Sequence, residues 1–534
     1  MRRRPPPPTV ELTMDDLQSL LNRAKGSLDD KEYKTLELLH DAYLTLTDLI
    51  EDDRMTIRQL REMLNGGTTE KTSKVLDEAG DNQAAGSGAD KRKNRSKRKA
   101  KGHGRNGASA YSGANRIEVA HEELKHRQRC PECERGKLYR KKPEVLLRVR
   151  GEAPLRATLY ELERLRCNLC GESFTANAPA QVGEEKYDAS AGAMIGLLRY
   201  GSGLPFNRLE ALQGSMGIPL PSSTQWDISR DASLALEPVF EELIRQGANG
   251  EVVHNDDTSM KVLSLSREPP RPEEGVGAER TGIFTTGIVS TLQGRQLALF
   301  FTGRKHAGEN LTDVLKRRAS ELPAPIQMCD ALSRNLPKEL EVILANCLSH
   351  GRRYFVKVVD SFPQECRHVL ESLAEVYRID ASARQQQLSA EARLRLHQAE
   401  SEPVLDALKQ WFEAQFAEKK VEPNSGLGQA IRYMLKHWEK LTRFLRIPGA
   451  PIDNNICERA LKKAILHRKN SLFFRTKNGA HVGDIFLSLI HTAELNDINS
   501  FHYLTELLRH RDQLSNDPAR WLPWTYQDAL ATPH

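Results

Sequence analysis

Apolar residues recur at helical spacing over most of the chain, interrupted by one internal block of short β-branched and aromatic runs. Residues 11–65 read as helix. Leu36, Tyr43, Ile50, Ile57 and Leu64 repeat every seven positions. Leu39, Leu46 and Leu60 fill the d positions between them, with Asp53 at the remaining one. That seam fits a short coiled coil or an amphipathic helix packed within its own domain. Residues 186–248 are again helical. Strands are expected at Glu251–His254, Gly282–Thr291, Gln296–Thr302, Ile326–Cys329 and Tyr354–Val359, with a hairpin around Leu292-Gln-Gly-Arg295. Long helical patterns return over 361–448 and 452–510, before a tail containing Trp521-Leu-Pro-Trp524.

Between residues 66 and 115 the pattern disappears. Gly, Ser, Asn, Lys and Arg dominate, so no core can form there. The chain's net charge of +6 comes from this stretch. Lys91, Arg92, Lys93, Arg95, Lys97, Arg98 and Lys99, with Lys101 and Arg105, leave the rest of the chain slightly acidic. Such a run is either a solvated spacer or an electrostatic contact to nucleic-acid phosphates. No apolar run approaches the ~18 residues of a membrane helix. Met1-Arg-Arg-Arg-Pro-Pro-Pro-Pro8 has no apolar stretch behind it, so neither a membrane span nor a secretory signal is expected.

Of the eight cysteines, four form two pairs, Cys130-Pro-Glu-Cys133 and Cys167-Asn-Leu-Cys170. Each pair can place two thiolates on one knuckle, and two knuckles close a tetrahedral structural zinc site with no open position for catalysis. Strands expected at Val145–Val149 and Leu155–Glu161 would make this a zinc-ribbon-like module. Core packing is the expected role of Cys329, Cys347, Cys366 and Cys457.

Three acids stand out by position. In His254-Asn-Asp-Asp-Thr258 two carboxylates follow an apolar strand start, and Asp330 ends the run Ile326-Gln-Met-Cys329. Glu458 sits one turn into a helix that Asp453 or Asn454 would cap, with Lys462 placed for an i,i+4 pair. Carboxylates at strand ends suit divalent cations, although an Asp-rich turn is the ordinary alternative. Phe206–Gly214 and Pro221–Ala232, around Gly217, fit either a helix-turn-helix or a plain helical hairpin.

The chain resembles a transposase of the insertion-sequence 66 family, DDE-type transposases with an RNase H-like catalytic fold. The resemblance spans nearly the whole chain. It runs through Lys101-Gly-His-Gly-Arg-Asn-Gly-Ala108, the cysteine pairs, Tyr200-Gly-Ser-Gly-Leu-Pro-Phe206 and Pro219-Leu-Pro-Ser-Ser-Thr-Gln-Trp226. It continues through His254-Asn-Asp-Asp-Thr258, Phe301-Thr-Gly-Arg-Lys-His-Ala-Gly-Glu-Asn310 and His350-Gly-Arg-Arg353. Ile452-Asp-Asn-Asn455, Glu458-Arg-Ala460, Arg468-Lys-Asn470 and Leu522-Pro-Trp524 complete it. It implies Asp256, Asp330 and Glu458 as catalytic residues holding two Mg²⁺ (or Mn²⁺) ions, with Asp257 as the acidic neighbour of the first. Ala331-Leu332 stands where many members have Gly-Tyr. Cys347-Leu-Ser-His350 matches a Cys-x-x-His of the family, with packing or a metal as its role.

The implied architecture is multidomain. A helical or coiled-coil module at 11–75, for DNA binding or pairing, precedes a basic linker at 76–115 and a four-cysteine zinc module at 116–177. A helical segment at 178–248 follows. The RNase H-like catalytic domain comprises 249–360 and 450–495, split by a helical insertion at 361–449, and 496–534 is a helical tail. The implied reaction is metal-dependent cleavage at element ends and transfer of the 3′-hydroxyls into target DNA. Duplex DNA is the expected partner, contacted also through Arg459, Lys462 and Arg468. A homodimer or higher oligomer, accessory proteins of the same element and a bacterial cytoplasmic, nucleoid-associated location are expected with it. A non-catalytic regulatory protein derived from such an element, and a nuclease that cuts without joining, are the alternatives.

Overall fold

The computed structural model describes residues 33–34, 154–166, 173–175, 177, 179, 185–269, 280–338 and 340–531. The heptad seam, the basic run 91–106, and Cys130, Cys133, Cys167 and Cys170 lie outside these residues. The chain divides into two compact units, residues 1–85 with 356–371 and residues 86–355 with 372–534. In the first, the described residues are 33–34, in helical conformation, and 356–371, a turn leading into the start of a helix. The second unit carries the sheets and most of the helices.

Strands β1 (Arg164–Arg166) and β2 (Ser173–Thr175) form a two-stranded antiparallel ladder. The strand expected at Leu155–Glu161 has no ladder partner among the described residues. Leu155 instead turns inward, its carbonyl accepting from Gln213 Nε2 at 2.9 Å, while residues 156–163 stay exposed. Helices α1 (Ala189–Gly196), α2 (Phe206–Ser215) and α3 (Ser222–Ala248) come next. Gly217, at φ +73°, makes the turn between α2 and α3, a conformation that Gly adopts without steric cost. The second helix of this pair is much longer than a short recognition helix. It buries Leu236, Val239, Phe240, Leu243 and Ile244 in the core that covers the main sheet.

That sheet has five strands, β3 (Val252–Ser259), β4 (Phe284–Leu292), β5 (Arg295–Gly303), β6 (Ile326–Cys329) and β7 (Ile343–Asn346). Their spatial order is β5-β4-β3-β6-β7. β3, β4 and β5 form an antiparallel meander, whereas β6 runs parallel to β3 and β7 parallel to β6. Gln293 and Gly294, both at positive φ, make the tight β4–β5 hairpin expected from the sequence. β4 is buried along most of its length and β6 along all of it, as strands covered on both faces are. Short helices α4 (Leu263–Arg267) and α5 (Ala307–Leu315) fill the connections.

The last expected strand falls elsewhere. Tyr354–Val359 is not a strand, because helix α6 spans Leu348–Val356. Leu348, Gly351, Arg352 and Phe355 are its buried positions, spaced three, one and three apart as one helical face requires. The fifth strand is the less conspicuous Ile343-Leu-Ala-Asn346. Residues 363–441 are helical, in α7 (Pro363–Gln385), α8 (Ala390–Leu396), α9 (Glu402–Ala417) and α10 (Gly426–Leu441). Helices α11 (Asn455–Ser471), α12 (Lys477–Leu495), α13 (Ser500–Arg509) and α14 (Tyr526–Ala531) follow. Among the described residues, no helix is long and apolar enough to cross a membrane.

Helix α12 closes the β5 edge with polar side chains. Asp484 Oδ2 accepts from the Thr302 N–H at 2.7 Å, Ser488 Oγ from Phe300 at 3.0 Å and Thr492 Oγ1 from Ala298 at 3.0 Å. Asn496 Oδ1, just past the helix, accepts from Gln296 at 3.3 Å. The match is metric: four helical residues advance ~6 Å, and two strand residues ~6.8 Å. Every outward N–H over this run therefore meets an acceptor.

Asp484 carries a cost in this position. Burial pushes its carboxyl up to about 8, against the opposing bonds from Thr302. The folded-state value lies above the unfolded one, so the folded protein holds an extra proton between pH ~4 and ~8 and loses stability as pH rises through that window. Asp484→Asn, which keeps the acceptor without the charge, is expected to flatten this dependence and raise Tm at pH 8 by about 1–3 °C. Asp484→Ala is expected to lower Tm at every pH, because the Thr302 N–H loses its acceptor. Thermal melts of the three proteins from pH 5 to 8 test both expectations.

Candidate active site

Asp256 and Asp330 come together through strand register. His254 of β3 is paired with Met328 of β6, and each aspartate lies two residues further along its strand direction. Both carboxylates therefore lie just past the same end of the β3–β6 parallel ladder, on the side where open α/β sheets place their ligands. Asn335 joins them. Its Nδ2 donates to Asp330 Oδ1 and lies 3.4 Å from Asp256 Oδ1.

Asn335 is itself held from behind. Its carbonyl accepts from Asn255 Nδ2 at 2.8 Å and Gln327 Nε2 at 2.7 Å, and Gln327 Nε2 also donates to Asn255 Oδ1 at 2.8 Å. All three side chains are fully buried. The sequence reading missed this amide cluster. Asn255 directly precedes Asp256 and Gln327 lies within the apolar run that Asp330 ends, a recognisable signal, but nothing marks Asn335 in Ser-Arg-Asn-Leu-Pro.

The electrostatics of the pair are unfavourable without a cation. Burial, and then the neighbouring Asp330, push the Asp256 carboxyl up to about 7. The Asp257 N–H donates to Asp256 Oδ1 at 2.8 Å and opposes that shift. Asp257 points away from Asp256, as alternation along a strand requires. Its Oδ2 is 2.9 Å from His306 Nδ1 and accepts from the Ala307 N–H at 3.3 Å, and Arg334 Nη2 lies 3.4 Å from its Oδ1. Asp257 thus ties β3 to the start of α5.

Glu458 lies on α11, a helix clamped onto β3 and β4. Asn454 Oδ1 is 3.0 Å from His254 Nδ1, and Asn454 Nδ2 donates to the Asn255 carbonyl at 3.1 Å. Burial lowers His254 to about 4, so the imidazole is neutral and can donate through Nδ1. Asn454 occupies the N-cap position but spends its side chain on β3. Asp453 bonds the helix start instead, accepting from the Asn455 N–H at 3.1 Å. One turn in, Cys457 Sγ donates to the carbonyl of Gly287, the cross-strand partner of Asp256. A Cβ on Gly287 would lie 3.1 Å from Leu461, so the glycine permits this close approach.

The i,i+4 pair with Lys462 is not how Glu458 is held. Glu458 Oε2 accepts from Arg353 Nη2 at 2.7 Å, an ion pair between α11 and α6, and Lys462 is exposed. Of the other cations expected to meet DNA, Arg459 is exposed on the same helix. Arg468 is engaged within the chain, bonding Thr258 Oγ1 at 3.2 Å and Ser259 Oγ at 2.7 Å.

The two aspartates suit a hard divalent ion, being oxygen donors close enough to disfavour each other's charge, whereas the Glu458 carboxylate groups with Cys347 and His350. The expected cysteines Cys329, Cys347, Cys366 and Cys457 are buried free thiols.

A family model described as Transposase IS66 family matches residues 185–482, more than half of the chain. Three relatives, all from Sinorhizobium fredii (strain NBRC 101917 / NGR234), are similar over comparable lengths. The uncharacterized protein y4jD is 28% identical over 68% of this chain and 71% of its own length. The uncharacterized protein y4hP is 26% identical over 62% of this chain and 61% of its own, and y4qI is 24% identical over 63% and 62%.

Proposed function

Because the chain belongs to the IS66 family of transposases, we propose that it cleaves DNA at the ends of its element and joins the freed 3′-hydroxyls to target DNA. The observation that carries this reading is the pairing of Asp256 and Asp330 just past the end of the β3–β6 parallel ladder, with α11, the helix that carries Glu458, packed on β3 and β4. The five-stranded mixed sheet supports an RNase H-like catalytic domain.

Asp256, Asp330 and Glu458 hold two magnesium or manganese ions in this reading. When bound, the ions activate the attacking oxygen and offset charge on the leaving 3′-oxygen. The side chains do the rest. Asp256, high in pKa through burial and Asp330, would hold a cation as the carboxylate, its proton released to solvent. Asn335 keeps the two aspartates at a fixed separation through its single amide. Arg353 orients Glu458 through Oε2. Arg459 and Lys462, exposed along α11, meet the phosphates that flank the scissile bond. The four-cysteine module, the basic run 91–106 and the N-terminal heptads supply end binding and pairing, as a dimer or larger assembly on two DNA ends.

The test is an insertion assay. A donor plasmid carries a marker between the repeats flanking the gene, with any accessory genes beside it supplied. New insertions with short target duplications are the expected result. Binding to the repeats without insertions would assign the chain to the regulatory reading, and cut ends that never join to the nuclease reading.

A further inference from the structure

Cys347, His350 and Glu458 converge where α6 meets α11. Their ligand atoms, a sulfur, a ring nitrogen and a carboxylate oxygen, all lie within 4.8 Å of one another. Cys347 directly precedes α6 and His350 lies in its first turn, so the three-residue spacing turns both toward Glu458. His350 Nδ1 is 3.8 Å from Glu458 Oε1.

Two details distinguish this cluster from ordinary packing. Cys347 Sγ accepts from the Asn454 N–H at 3.2 Å and takes a second backbone bond from His350, while burial still pushes the thiol up to about 12, so the sulfur is a thiol until an ion takes the place of its proton. Glu458 has divided oxygens. Oε2 is bonded by Arg353, while Oε1 is buried without a hydrogen-bond partner and faces the sulfur and the imidazole. A buried carboxylate oxygen without a donor is a cost that a cation would remove. Cys347 is fully buried, whereas the side chains of His350 and Glu458 are about one quarter exposed and give an ion its way in.

We propose that Cys347, His350 and Glu458 form a site for a soft divalent ion of the zinc class, which draws Glu458 away from the hard-ion site and so inhibits cleavage. The inhibitory part rests on the reading of Glu458 as a catalytic carboxylate. Zinc takes sulfur and nitrogen beside oxygen whereas magnesium is held by oxygens, and three protein ligands leave a fourth position for water. On binding, the Cys347 S–H bond breaks, a sulfur–metal bond forms and the proton goes to solvent, with no change of oxidation state. Arg353 keeps its bond to Oε2 throughout. Occupancy therefore needs no new partner for the arginine.

Cobalt reports the site directly, because a thiolate ligand gives an intense near-ultraviolet charge-transfer band. The full-length protein, stripped by chelator, is titrated with Co²⁺. Cys347→Ser and His350→Ala are each expected to bind one equivalent fewer than wild type, and Cys347→Ser to lose one thiolate's share of the band. Asp256→Asn is expected to retain that band in full. In the second arm, the zinc concentration that halves Mg²⁺-dependent cleavage is expected to rise at least about tenfold in Cys347→Ser, each protein compared with its own zinc-free rate.

Cobalt binding that is unchanged by both substitutions overturns the site. A band that depends on Cys347, with cleavage indifferent to zinc, overturns the inhibition. If no preparation cleaves DNA, the catalytic reading of Glu458 falls and the inhibition with it, while the cobalt arm still decides whether the ion binds. Circular dichroism of both variants, expected to match wild type, excludes unfolding as the cause of a lost equivalent.

Discussion

Asp256→Asn is expected to reduce strand cleavage by about three orders of magnitude or more, which is ~4 kcal/mol of lost transition-state stabilisation. The same substitution is expected to make the protein more stable. The two effects have one origin. Burial and the nearby Asp330 hold the Asp256 carboxyl up at about 7. The folded-state value lies above the unfolded one, so the charge costs stability increasingly as pH rises from ~4, and fully above ~7. Asparagine has the same shape, keeps an oxygen for the Asp257 N–H and has no charge to bury. A gain in Tm of about 2–4 °C at pH 8, measured without metal, is the expected size. Added Mg²⁺ should narrow the gap, because an ion that binds only the folded wild type stabilises it. Cleavage rates and melts on the same preparations test the pair of outcomes. A variant that is both inactive and less stable would indicate that Asp256 is structural.

Asn335→Ala is expected to lower the cleavage rate by about 10–100-fold, the usual cost of removing a residue that orients metal ligands. Its backbone contacts survive, because Asn255 and Gln327 bond the carbonyl and not the side chain. What is lost is the single Nδ2 that Asp256 and Asp330 share. That amide holds Asp256 lower than it would otherwise lie. Its removal should therefore raise the Asp256 pKa further and move the acid limb of the pH–rate profile toward alkaline pH. Asn335→Asp, which replaces the donor with a third carboxylate, should shift it further still. A fall in rate with an unmoved acid limb would mean that Asn335 only fills space.

The candidate acids stand out in the chain because they punctuate local patterns. Asp256 follows the apolar start of β3, Asp330 directly follows the apolar β6, and Glu458 sits one turn into a helix behind a polar start. Those signals are short-range. What holds the acids depends on contacts between distant segments, to which periodicity is blind. Arg353 reaches Glu458 from 105 positions away, and Asn454 reaches Asn255 from 199. The strand error has a related cause. Tyr-Phe-Val-Lys-Val has the composition of a strand, yet Leu348, Gly351, Arg352 and Phe355 give that segment a helical face to bury. Ile343-Leu-Ala-Asn346 has little strand character beyond Ile343, and it is in the sheet because β6 offers it a parallel neighbour.

The four acceptors that α12 and Asn496 lay against β5 also limit how this molecule can assemble. An open strand edge is a template on which a second chain can add its own strand. Here the N–H groups of Gln296, Ala298, Phe300 and Thr302 are already spent on Asn496, Thr492, Ser488 and Asp484. A docking strand would have to displace a buried helix before gaining its first bond. Any assembly of copies of this chain would therefore have to use surfaces other than the β5 edge.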